Sequence, residues 1–133
     1  MRSFLLFVLL ISLYSCKQSA IKQSFSSADS LVIHFKDEQA GVVTKTVQTT
    51  ESNAMNRMID FIDAKEIEEL KCGYDGKMFF YQKGQKIQEV DFKMKDDSCN
   101  HFAFELSGKL MRTKMNSEAV DFLDALEKGM PYY

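Results

Sequence analysis

The sequence predicts an α+β domain. One antiparallel meander of about six to seven strands carries two amphipathic helices on one face, in the order β-β-α-β-β-β-β-β-α. Three observations predict it. Apolar and polar residues alternate at period two through several stretches after residue 30, as strands with one buried face require. The period lengthens to three and four at Met55, Met58, Ile59 and Ile62, and again at Val120, Leu123 and Leu126. Short turn signals separate the later strands, which suits antiparallel neighbours.

Taken in order, residues 31–35 place Leu31, Ile33 and Phe35 on one face and His34 on the other. Gly41 punctuates, and 42–50 is a β-branched run that reads as a second strand. The first helix follows, with Thr50 or Ser52 able to cap it and Asn56, Arg57, Asp60 and Asp63 on its wet side. Residues 67–72 read as a third strand, and Asp75-Gly76 as a hairpin signal after it. Strands at 78–82 and 87–94 flank Lys83-Gly84-Gln85; in the second, Val90, Phe92 and Met94 alternate with Glu89, Asp91 and Lys93. A polar loop over 95–100 leads to Phe102, Phe104 and Leu106. Ser107-Gly108 turns the chain into a last strand at 109–115. Ser117 is placed to cap the final helix, which Gly129 and Pro131 stop.

Ahead of this domain, Arg2 precedes an apolar run over 4–13 that only Ser12 interrupts, closed by Leu13-Tyr14-Ser15-Cys16. About ten apolar residues are too few to span a bilayer, which needs ~20, but they fit the core of a secretory signal. On Leu13, Ser15 and Cys16 the segment resembles the lipobox of bacterial lipoproteins. The resemblance implies cleavage before Cys16 and lipidation of its sulfur, with a second, amide-linked acyl chain such as palmitate. At ~0.8 kcal/mol per buried methylene, two such chains hold a protein on a membrane without a spanning helix. The domain behind it resembles small α+β lipoprotein domains.

The expected organisation is a signal peptide at 1–15, a lipidated flexible tether at 16–28, and one domain at 29–133. The tether expectation rests on a Ser/Gln-rich composition with too little apolar area to offset backbone ordering. Surface-exported lipoproteins resemble one another in acidic residues just after the cysteine. None occurs here before Asp29, which favours attachment to a bacterial membrane, the outer one, facing the periplasm.

The chain of 133 residues holds 17 basic and 19 acidic side chains. Without Arg2 the balance is 16 against 19, a net −3. This mildly acidic, mixed surface gives no reason to expect nucleic acid as a partner. With Cys16 assigned to lipid, Cys72 and Cys99 remain. In an oxidising compartment they pair most simply as a disulfide worth about 3 kcal/mol; free thiols and metal ligands are the alternatives.

The sequence carries no signature of catalysis. It lacks a Gly-x-Ser-x-Gly elbow and a phosphate-cradling glycine loop, and the acidic cluster of Asp63, Glu66, Glu68 and Glu69 suits a solvated surface. Cys99-x-His101 falls short of paired metal-ligand spacing, so no metal site and no cofactor are assigned. The residues that suggest binding are His101, opening a strand beside a polar loop, and Phe79 and Tyr81, which share the face opposite Phe80. The expected function is therefore a non-enzymatic, membrane-anchored periplasmic module binding a protein partner, as an inhibitor, immunity-like or assembly factor would. The alternative is a small-ligand or metal-binding envelope protein using His101 and the outer sheet face.

Overall fold

A computed structural model describes residues 18–130. Cys16, with the lipobox, and the C-terminal tyrosines lie outside the described residues. In chain order the elements are α1 (Ala20–Phe25), β1 (Ser30–Lys36), β2 (Val43–Thr49), α2 (Ser52–Ile62), β3 (Gly76–Gln82), β4 (Gln85–Lys93), β5 (His101–Leu106), β6 (Lys109–Lys114) and α3 (Ser117–Glu127). The strands form one sheet in the order β2-β1-β3-β4-β5-β6, antiparallel throughout. The α+β class and the single antiparallel sheet match the expectation. No described helix is long and apolar enough to cross a membrane.

Alternation decides which face is core. Leu31, Ile33 and Phe35 of β1, Met78 and Phe80 of β3, Val90 and Phe92 of β4, and Phe102 and Phe104 of β5 are all buried on one face. The same cluster takes Met55, Met58, Ile59, Phe61 and Ile62 from α2 and Ala119, Phe122 and Leu123 from α3. The helical period in the sequence is thus a packing stripe. Arg57 ties the two helices, pairing with Glu118 at 2.8 Å and lying over the Phe61 and Phe122 rings. The caps shift by one residue. Asn116, not Ser117, accepts from the Ala119 N–H, and Glu51 starts α2 without a side-chain cap.

Two hairpins follow their turn residues closely. Lys83-Gly84 joins β3 to β4 with φ of 49° and 77°, and Ser107-Gly108 joins β5 to β6 with φ of 53° and 77°. Positive φ at both central positions gives the turn whose twist matches the flanking strands.

Three expectations need correction. First, the flexible tether over 16–28 contains a folded element. Ser19 caps α1, and Phe25 is fully buried, its ring 4.7 Å from Phe80 and 5.7 Å from Phe104. One phenylalanine seated among aromatic rings outweighs a polar average composition.

Second, 67–72 is not a strand. Only Glu66 pairs there, in a single bridge to Thr113 at the β6 edge. The Lys114 N–H donates to the Lys65 carbonyl and the Ile67 N–H to the Arg112 carbonyl. The chain then continues as a strap past Cys99, just before β5, and past the end of β4, where the Asp75 N–H donates to the Phe92 carbonyl, before entering β3, so the sheet has six strands.

Third, Asp75-Gly76 makes no hairpin. Gly76 opens β3 between Phe35 of β1 and Phe92 of β4, and a Cβ there would collide with the Phe92 ring and the His34 carbonyl. The glycine serves close approach of backbone and ring.

Candidate functional site

The helices cover one sheet face, so any site that the sheet offers to solvent lies on the other. Alternation turns Val32 and His34, then Lys77, Phe79 and Tyr81, then Glu89, Asp91 and Lys93, toward that face. On β5 and β6 it turns His101, Ala103, Glu105, Leu110, Arg112 and Lys114 the same way. The face has two ends of different character.

At one end lies the strap over 67–75. Asp75 is 1 % exposed, and its carboxylate accepts from the Met94 N–H at 2.8 Å, the Lys95 N–H at 3.0 Å and Lys93 Nζ at 3.2 Å. Lys93 is itself buried and also reaches Glu38 at 2.8 Å. Burial pulls the Lys93 ammonium down, but hydrogen bonds to Glu38 and Asp75 outweigh it and hold it above the ordinary lysine value. The period-two reading of β4 leaves Lys93 on the wet side; the strap and the loop bearing Glu38 close over it instead. Nothing in the local pattern signals this knot, because Asp75 beside Gly76 has the composition of a turn.

Cys72 and Cys99 stand at disulfide distance in the same region, with Cα atoms 6.2 Å apart. A simple meander would set two strands between them; the strap removes that obstacle by carrying Cys72 across the sheet end. His101 follows at once. It is fully buried, not the exposed strand residue that its position suggests. Its Nδ1 lies 2.6 Å from the Cys99 carbonyl, so Nδ1 carries the proton and donates. Nε2 has no hydrogen-bond partner among the described residues, and the Tyr74 ring covers the imidazole at 5.6 Å.

The other end is open. Phe79 is half-buried, with His34 at 5.2 Å between rings and Lys86 Nζ 5.8 Å above it. Lys77 bonds Glu89 and pairs with Asp91 at 3.5 Å, while Lys86 pairs with Glu89 at 2.7 Å. Hydrogen bonds from Lys77, then Lys86, hold the Glu89 carboxyl below its ordinary value. An open groove of about 510 Å³ runs beside this network, lined by Lys86, Glu89, Asp91, Ala103, Glu105 and Leu110 among others. Leu110 is 51 % exposed at its rim.

The three residues singled out for binding therefore do not form one site. Phe79 and Tyr81 belong to the open end, and His101 to the strapped end. Their neighbours on β4, Glu89 opposite Phe79 and Lys93 opposite His101, are four residues apart, about 13 Å along the strand. The sequence reading missed Asp75, Lys93 and Glu105; the alternation of charged residues along β4 and β5 was the only signal for the last. Among the described residues, no group of three His, Cys, Asp or Glu side chains is placed to hold a metal. No protein-family model, curated protein or solved structure matches this chain.

Proposed function

We propose that this protein is a membrane-tethered, non-enzymatic envelope module that binds a protein partner, anchored by lipid on Cys16 and presenting the open end of its sheet. One observation carries the reading. The helix-free face carries an open groove beside β4 and β5, where Glu105 and an exposed Leu110 stand next to the Lys77, Lys86, Glu89 and Asp91 ion pairs. An apolar residue in this setting suits a partner that offers an apolar knob with a basic side chain toward Glu105. The lipobox supports the tether, and a cysteine pair at disulfide distance suits an oxidising compartment.

The test has two arms. Intact mass of the protein from membranes is expected to show an N-terminal diacyl or triacyl cysteine, lost in Cys16→Ser; an unmodified or differently cut N-terminus would refute the anchor. Capture from detergent-solubilised envelopes is expected to recover a partner that Leu110→Asp and Glu105→Lys each release. Equal recovery by both variants would refute the open end as the docking face.

A further inference from the structure

We infer that the segment over 67–75 is a thiol-sensitive cover, latched by Cys72–Cys99 over the buried imidazole of His101. Its two ends are fixed by backbone: at Lys65 and Ile67 against β6, and at Asp75 against Lys36 and Phe92. Between them, residues 68–74 make no backbone hydrogen bond to any described residue. Glu68, Glu69, Lys71, Gly73 and Tyr74 are exposed. The Glu69–Arg112 pair, at 3.9 Å, is loose, and its Glu69 side is open to water. Among the described residues, the cysteine pair is thus the one covalent hold in the middle of the strap, beside the half-buried Leu70 and the Tyr74 ring contact. Segments with few buried contacts and few backbone bonds are those that open locally without global unfolding.

Beneath the strap lies a group with a reason to be uncovered. His101 Nε2 is a buried acceptor that no donor among the described residues satisfies, a costly state that solvent or a ligand donor would relieve. Cys72 is the half-buried residue of the pair and Cys99 the buried one, at 6 % exposure, so the route from solvent leads to Cys72 first. With a dithiol as reductant, one thiolate attacks Cys72 Sγ, and the Cys99 sulfur leaves with the electron pair and takes a proton. The second thiol then displaces the Cys72 sulfur, which is protonated in turn. The protein gains two electrons and two protons, and the dithiol becomes a disulfide. The strap is then held only at its ends, and Tyr74 is free to lift from His101. This cover is independent of the partner proposed for the open end.

The test is histidine acylation by diethyl pyrocarbonate on the full chain in detergent, read by peptide mass spectrometry. The oxidised protein is compared with protein reduced by dithiothreitol, thiol-blocked and desalted, and with the Cys72→Ser/Cys99→Ser double variant. His101 is expected to react about tenfold faster in both opened forms, while His34 changes less than about twofold. Amide exchange at Phe92 and Phe102 is expected to quicken by no more than the loss of unfolding free energy measured on the same protein, and to stay far slower than exchange at 68–74. Unchanged His101 reactivity would overturn the cover. A rise in His101 reactivity with exchange at 68–74 no faster than at Phe92 and Phe102 would overturn it equally, since the imidazole would then be reached by unfolding of the whole domain rather than by the strap.

Discussion

The two ends of the helix-free sheet face use the same strands and similar charged side chains, yet they are held in opposite ways. At the strapped end, Lys93 is buried between Asp75 and Glu38, and backbone N–H groups of Met94 and Lys95 converge on one carboxylate. At the open end, Lys77 and Lys86 meet Glu89 and Asp91 in partial contact with water. The same chemistry is therefore structural in one place and adjustable in the other. A buried charge without its partner is expensive, whereas a wet ion pair contributes little.

The comparison is broken most severely at Asp75. Asp75→Ala removes an acceptor from two backbone N–H groups and leaves Lys93 buried with Glu38 alone, so a loss of about 3–5 kcal/mol is expected in denaturant unfolding. A loss under about 1 kcal/mol would show that the strapped end is not held by that carboxylate. Next in size is the bridge. With 27 residues of separation, Cys72→Ser is expected to cost about 3–4 kcal/mol in the chain-entropy model, seen as a lower denaturant midpoint.

The open end responds to acid instead. The Glu89 carboxyl lies below its ordinary value, first through the hydrogen bond from Lys77 and then that from Lys86. It therefore contributes stability that is present above the ordinary carboxylate range and is lost as pH falls through its lowered folded value. Glu89→Gln is expected to flatten that part of the stability–pH curve; an unchanged acid limb would refute the assignment. The smallest effect is expected at Leu110, where Leu110→Ser should alter the unfolding free energy by less than about 0.5 kcal/mol because the side chain is already half in water. Its effect on partner capture is expected to be far larger than its effect on folding.

What could be read from the chain follows the range of the interactions involved. Alternation located β1, β3, β4 and β5, because side-chain direction in a strand depends on nearest neighbours alone. Lys83-Gly84 and Ser107-Gly108 were legible as turns for the same reason: φ is a local demand. The Met55–Ile62 stripe of α2 was likewise visible. The misses all depend on residues distant in sequence. Phe25 is core only because Phe80 and Phe104 receive it. Asp75-Gly76 has turn composition but is fixed by Phe92, Met94 and Lys93. His101 is buried where the Tyr74 ring is carried over it. At the candidate site, Phe79 and Tyr81 were legible as outward residues, but their separation from His101 was set by the strap.

The docking of α1 has a further bearing on reach. Had residues 16–28 been a free leash, its twelve Cα steps could stretch about 40 Å from the lipid. With α1 seated on the core from Ala20, only four Cα steps separate Cys16 from the first helical residue, at most about 14 Å. A domain lipidated at Cys16, as proposed, would ride close against the headgroups rather than sweep a wide volume above them. Lys22, paired with Asp60 at 2.8 Å, would lie near that surface. A partner would then have to share the membrane or come down to it, and encounter between the two would become a search in two dimensions.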